Sequence, residues 1–128
     1  MNETLQPILI LDDEERVREL LMDYLGEFDG FDLFGAGSGE EALEILRQRP
    51  TRLCVVDMRL PGMDGVEFIE SAAAARLCHQ FIVHTGSMDF SLPQALKDLG
   101  MVPADVFFKP VDASEILARI RELIKDEV

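Results

Sequence analysis

The chain has 128 residues, 48% hydrophobic and 29% charged, the composition of one ordinary globular domain with a real core. Its net charge of -13, from 25 acids against 12 bases, argues against a nucleic-acid-binding surface, which needs a basic face. No apolar run approaches the roughly 20 residues of a membrane helix, and "MNETLQPILILDDEE" lacks the basic start and long apolar stretch of a signal peptide. Cys54 and Cys78 are too few and too far apart for a disulfide framework or a CxxC site. They read as buried thiols in a reducing compartment, and a cytoplasmic location is expected.

In chain order, short apolar runs alternate with helical patterns. "ILIL" (8–11) is the first strand, and Val17, Leu20, Leu21, Tyr24, Leu25 and Phe28 then recur at helical spacing as one apolar stripe. "FDLF" (31–34) is a weaker strand; Ser38 with Glu41 forms a capping box opening a helix through Leu43, Ile45 and Leu46. "LCVV" (53–56) is a continuous apolar run, as expected of a strand covered on both faces. Asp64 caps a helix carrying Val66, Ile69 and Ala73, and "FIVH" (81–84) is the fourth strand. Pro93 suits the first turn of a helix through Ala95, Leu96 and Leu99. "VFF" (106–108) is the fifth strand, and Asp112 with Glu115 caps a last helix bearing Ile116, Ile120, Leu123 and Ile124.

Five strand–helix units in alternation predict an α/β fold: a doubly wound, five-stranded parallel sheet with helices on both faces. Residues 1–128 read as a single domain, with no linker or repeat inside them.

Four of the five strands run straight into a polar group. Asp12 and Asp13 follow the first, Asp57 the third, Thr85 the fourth and Lys109 the fifth, while the second ends plainly in Phe34-Gly35. Open parallel sheets bind ligands at the carboxyl ends of their strands. In the flavodoxin-like order 2-1-3-4-5 the second strand lies at the edge, and the five polar side chains converge on one crevice. Two carboxylates about 5 Å apart repel by roughly 3 kcal/mol at an effective dielectric of about 20. A cation relieves this, and an oxygen-only, water-accessible site suits Mg2+. Lys109 adds a point charge for an anion and Thr85 a hydroxyl donor. A carboxylate nucleophile, a divalent metal and two anion stabilisers are the parts of phosphoryl transfer to an acid. Taken singly, Asp12 and Asp13 could be helix caps, with Glu14 and Glu15 complementing the helix dipole. Thr85 alone reads as a strand-end residue and Lys109 alone as a solvated charge. Their coincidence at successive strand ends carries the case.

These residues resemble the CheY-like receiver domain of two-component response regulators over essentially the whole chain. "LDDEE" resembles the acidic pair after the first strand and "DMRLPGMDG" the phospho-acceptor loop; "HTG" carries the threonine and "FFKP" the Lys-Pro. The resemblance implies that Asp57 accepts a phosphoryl group from a histidine kinase or phosphotransfer protein. Asp13 then ligates Mg2+ directly and Asp12 directly or through water, with Asp57 and the main-chain carbonyl of Arg59 completing the protein ligands. Thr85 and Lys109 bind the phosphoryl oxygens, and the Lys109–Pro110 bond is cis. Phosphorylation reshapes the face made by the fourth helix, fifth strand and fifth helix, and the domain works as a switch, not as an enzyme. Its output domain or protein is not identified; dimerisation through the last two helices is an option the resemblance leaves open.

Three features depart from the family pattern. Val106 stands where the family usually places Tyr or Phe, three residues before the lysine. Gly86 replaces the commoner alanine after the threonine. The stretch from Thr85 to Lys109, with "SLPQ" and "GMVPAD", is slightly long, which shifts the expected fourth helix. Arg59 and Ser87 occupy positions that tune removal of the phosphoryl group by water, and His84 receives no role.

The rival readings fit less well. A haloacid-dehalogenase-like phosphatase needs a second acid two residues after the nucleophile, where this chain has Arg59. A flavodoxin needs a hydroxyl- and glycine-rich loop after the first strand, where "DDEER" would repel a phosphate; "GAGSGEE" (35–41) carries Glu40 in place of a third glycine. A pseudo-receiver, folded alike but not phosphorylated, is disfavoured by the presence of all five site residues and kept in play by Val106.

Overall fold

The computed structural model describes residues 5–125. Its elements are β1 (Gln6–Leu11), α1 (Glu15–Leu25), β2 (Phe31–Ala36), α2 (Gly39–Gln48), β3 (Thr51–Val56), α3 (Gly65–Ala74), β4 (Cys78–Thr85), α4 (Gln94–Asp98), β5 (Val106–Phe108) and α5 (Ala113–Lys125). A single 3-10 turn, Pro103–Asp105, precedes β5. The strands form one parallel sheet in the order β2-β1-β3-β4-β5, the doubly wound flavodoxin-like order expected from the sequence.

The continuous apolar runs have a direct cause. Side chains alternate across a strand, and both faces of this sheet are covered. Leu9, Leu11, Cys54, Val56, Phe81 and Val83 point to one side, onto α2 and α3 through Leu46, Phe68 and Ile69. Ile8, Ile10, Leu53, Val55 and Ile82 point to the other, onto Leu21 and Leu25 of α1 and Ile116 and Ile120 of α5. Each of these large side chains contributes about 1.5–3 kcal/mol by leaving water, and residues 8–11 of β1 and 53–56 of β3, buried on both faces, are all apolar. Cys54 and Cys78 are buried free thiols, as expected. Among the described residues no helix is long and apolar enough to cross a membrane.

Several local expectations shift. The α1 stripe is narrower than its periodicity implies: Leu21 and Leu25 are buried, Leu20 is 59% exposed, and Phe28 lies past the helix end, stacked edge-on against Tyr24. Ser38 accepts a hydrogen bond from the Glu41 N–H at 3.1 Å, but the Glu41 carboxylate reaches back to the Gly37 N–H at 2.8 Å, so the box spans one residue more. Asp64 and Glu67 do form the reciprocal box, with bonds of 2.9 and 3.0 Å. Asp112 caps α5 through the Ser114 N–H at 3.0 Å, with Glu115 bonding only through its backbone. The fourth helix is reduced to Gln94–Asp98, five residues with Pro93 at its N-cap. The seven residues 86–92 before it are non-helical.

Candidate functional site

Three backbone hydrogen bonds build the site. Each strand's hydrogen-bond ladder continues one residue beyond the strand itself. The N–H of Asp12 donates to Ala36 O at 3.1 Å, that of Asp57 to Leu11 O at 2.9 Å and that of Lys109 to Thr85 O at 2.8 Å. The backbone at the residues that follow β1, β3 and β5 is therefore fixed by neighbouring strands. Since Leu11 pairs with Val56, Asp12 and Asp57 stand side by side.

The acceptor loop is clamped from below. A Cβ on Gly65 would lie 2.5 Å from the main-chain oxygen of Asp57 and 2.5 Å from Met58 Cε, so only glycine lets α3 begin directly against the strand end. The Gly65 N–H donates to Met58 O at 3.1 Å. On the outer side Gly62 takes a positive φ of 75°, and the Glu40 carboxylate accepts the neighbouring Met63 N–H at 3.2 Å. Glu40, disfavoured above as a phosphate contact, thus ties the start of α2 to this loop.

Asp12, Asp13 and Asp57 each place a carboxylate oxygen within 4.8 Å of the others. Asp12 and Asp57 are buried and Asp13 is exposed. Both Asp12 oxygens are engaged, Oδ1 by the Glu14 N–H at 2.9 Å and Oδ2 by Lys109 Nζ at 2.8 Å. Asp57 accepts from Lys109 Nζ at 3.3 Å and from the Arg59 N–H at 3.4 Å. The Asp13 carboxylate has no hydrogen-bond or ion-pair partner among the described residues.

Burial raises the Asp12 pKa, partly offset by its bonds to Lys109 and to the Glu14 N–H. Burial opposes the Lys109 charge, but Asp12, Asp57 and Glu14 outweigh it and hold the ammonium above its ordinary pKa. Three carboxylates thus contact one ammonium, and Asp13, unpaired among the described residues, completes the cluster. That deficit of positive charge, in an all-oxygen donor set open to water, fits a hard divalent cation such as Mg2+.

A cleft lined by Asp13, Glu14, Asp57, Arg59, Gly86, Ser87 and Lys109 opens onto this cluster. Arg59 and Ser87 therefore flank Asp57 as expected. Thr85 does not line the cleft: it is fully buried, and its hydroxyl accepts the Ser87 N–H at 3.2 Å. The Lys109–Pro110 bond is cis.

Three contributors escaped the sequence reading. Glu14, read there only as a complement to the helix dipole, reaches Lys109 Nζ at 3.1 Å. Its place in the same turn as Asp12 and Asp13 was the available signal. Arg18, about a turn and a half on, donates from Nη1 to the main-chain oxygen of Asp12 at 2.6 Å. His84 lies beneath the site on the α1–α5 side of the sheet, lining a cavity with Val17, Leu20 and Leu21. Burial, with the nearby Lys109 charge, lowers its pKa to about 4 against a weaker opposing pull from Asp57, so the imidazole is neutral.

The family model for the response regulator receiver domain matches residues 8–121. The chain is 32% identical over 119 residues to the sporulation initiation phosphotransferase F of Bacillus subtilis, covering 93% of this chain and 94% of that protein. It is also 32% identical over 123 residues to the transcriptional regulatory protein AruR of Pseudomonas aeruginosa. That match covers 92% of this chain but 49% of AruR, so the chain spans about half that relative's length. The response regulator TrrA of Thermotoga maritima, solved in complex with Mg2+–BeF, superposes with a TM-score of 0.77 at 25% identity, covering 93% of this chain and 99% of that one. With most of its length matched by the family model, and a relative covered almost end to end, the chain belongs to the response regulator receiver domain family of two-component systems.

Proposed function

We propose that this receiver takes a phosphoryl group onto Asp57 from the phosphohistidine of a sensor histidine kinase or phosphotransfer protein, with Mg2+, and that the modification switches its α4–β5–α5 face. The observation that carries the reading is the Asp57 carboxylate: 5% exposed, 3.3 Å from an ammonium and beside two further carboxylates at the mouth of a cleft. A carboxylate held there has a chemical use as a nucleophile and is a poor structural choice.

In this reading an Asp57 Oδ attacks phosphorus, the P–N bond to the donor imidazole breaks, and the nitrogen leaves with the bonding pair. The acyl phosphate so formed is later opened by water. Asp13, Asp12, Asp57 and the Arg59 carbonyl would hold Mg2+, whose contribution is to neutralise charge on the phosphoryl oxygens. Lys109 donates to one phosphoryl oxygen. The Thr85 hydroxyl, whose proton is not used by its bond from Ser87, donates to another once the side chain turns into the cleft. The exposed Leu20 and Pro110, on the cavity wall shared with Lys109, offer a donor protein apolar surface beside the mouth. The product is a conformational signal passed to an output domain or protein, and the setting is cytoplasmic.

The test is intact mass after incubation with acetyl phosphate, with and without Mg2+, beside Asp57→Asn. One added phosphoryl group, dependent on Mg2+ and absent from the variant, is expected. No gain in wild type, together with no binding of beryllofluoride, would make the chain a non-phosphorylated interaction module.

A further inference from the structure

We propose that Glu14 sets which phosphodonors the site accepts, by competing with the incoming phosphoryl group for Lys109. The inference rests on the reading of Asp57 as the acceptor. An ammonium has three N–H donors, and those of Lys109 are matched by Asp12 Oδ2 at 2.8 Å, Glu14 Oε1 at 3.1 Å and Asp57 Oδ2 at 3.3 Å. A phosphoryl group on Asp57 needs at least one of them.

The three acceptors are not equally free to yield. Asp12 and Asp57 are buried, and each is held by a backbone N–H as well as by Lys109. The Glu14 side chain is 61% exposed and bonds only Lys109 among the described residues. Exposed ion pairs are weakly held, so the Glu14 contact is the one that opens. The Glu14 backbone is nonetheless tethered at the cleft, because its own N–H is fixed to Asp12 at 2.9 Å. Released from Lys109, it remains an uncompensated carboxylate on the cleft wall, close to the new anion.

Two consequences separate donor classes. A small, doubly negative donor meets this carboxylate without bringing a cation of its own. A protein donor carrying a lysine or arginine beside its phosphohistidine gives Glu14 a replacement partner when Lys109 turns to the phosphoryl group. Glu14 thus disfavours free acyl phosphates and favours a protein donor with a basic rim.

The test compares wild type with Glu14→Gln, which keeps size and an oxygen acceptor and removes the charge; unchanged thermal unfolding checks that both are folded. Rates of phosphoryl gain are read by intact mass with acetyl phosphate, a dianion, and with phosphoramidate, whose amine carries a proton in its reactive form. Affinity for beryllofluoride with Mg2+ is read by calorimetry. In Glu14→Gln, acetyl phosphate should react about two- to fivefold faster and beryllofluoride should bind about two- to fivefold tighter, the range an exposed charge contact commands. Phosphoramidate should gain less, and all differences should shrink as salt rises. Equal or slower reaction with acetyl phosphate, or no difference between donors, overturns the role of Glu14 while wild-type labelling leaves Asp57 as acceptor. Absence of labelling in wild type and variant alike, matching Asp57→Asn, removes both readings together.

Discussion

Lys109 and Asp57 stand 52 positions apart in the chain and 3.3 Å apart across the carboxyl edge of the sheet, and the same ammonium holds Asp12 at 2.8 Å. Among the described residues no other cation forms an ion pair with either aspartate. Lys109 is therefore the internal counter-ion of two buried carboxylates, and a metal at the cluster would take over that duty.

Lys109→Ala should consequently unfold more easily without metal. Removing one partner of a buried pair costs about 3–5 kcal/mol; water in the cleft puts this case near about 3 kcal/mol. A domain of this size has stability of about 5–15 kcal/mol to lose, so it still folds. Mg2+ should then stabilise the variant more than the wild type, since it replaces a missing charge in one and competes with Lys109 in the other. Urea unfolding with and without Mg2+ reads both effects, and a variant as stable as wild type in chelator would refute the counter-ion role.

Gly65 and Gly86 make a contrasting pair. A Cβ at Gly65 collides with Asp57 O and Met58 at 2.5 Å, whereas one at Gly86 meets nothing within 4 Å. Gly65→Ala should cost about 2 kcal/mol or more, because the neighbour is largely backbone and one of the two segments must move. The moving segment carries Asp57, so Mg2+ affinity should fall with stability. Gly86→Ala should stay within about 0.5 kcal/mol of wild type. Equal effects from the two substitutions would show that the start of α3 does not set the acceptor loop.

Much of this was legible in the sequence because the centres of strands covered on both faces are apolar runs. Asp12, Asp57 and Lys109 mark strand ends by being the first polar groups after apolar runs, Thr85 follows the run 81–83 one place later, after His84, and the sheet order then brings those ends together. What stayed hidden depends on rotamers and short segments. The exposure of Leu20 and the reach of Glu41 to Gly37 are side-chain choices that spacing does not encode. The Thr85 hydroxyl bonded to Ser87 is another. The helix after Pro93 is legible in Ala95, Leu96 and Leu99, but its end at Asp98 is not, since one turn and a half supplies only Leu96 as a buried anchor.

His84 predicts an acid-side instability. Its pKa falls from 6.5 to about 4 because burial, and then the Lys109 charge, penalise the imidazolium. Between those values the unfolded chain binds a proton that the folded one refuses. Stability from this group is therefore complete above pH 6.5 and is lost as pH falls towards 4. The loss is on the order of 2 kcal/mol for a displacement of this size, after allowing for screening. In His84→Leu, whose new side chain faces Val17, Leu20 and Leu21, that component should vanish. Chemical unfolding of both proteins at pH 7.0, 5.5 and 4.5 isolates it as a difference, and parallel pH profiles would contradict it.

Val106 opens β5 and faces the loop that follows β4. It lines a groove of about 340 Å³ with Phe90, Leu92 and Phe108, so space is available where the family usually carries an aromatic side chain. The connection to the site runs through the loop: Thr85 Oγ1 accepts the Ser87 N–H at 3.2 Å, and Ser87 O accepts the Phe90 N–H at 3.0 Å. If the Thr85 side chain rotates into the cleft to reach a phosphoryl oxygen, it carries its oxygen away from the buried Ser87 N–H, which loses its acceptor. An orphaned buried donor costs about 1–3 kcal/mol, enough to shift the loop. Phe90 is carried with it towards the open groove. Val106→Tyr fills that groove without touching the acceptor, so acetyl phosphate labelling should stay within about twofold of wild type. The amide shifts of residues 86–98 on beryllofluoride binding should fall by more than about half, because the loop has lost its destination. A changed labelling rate with an undiminished loop response would place the coupling elsewhere.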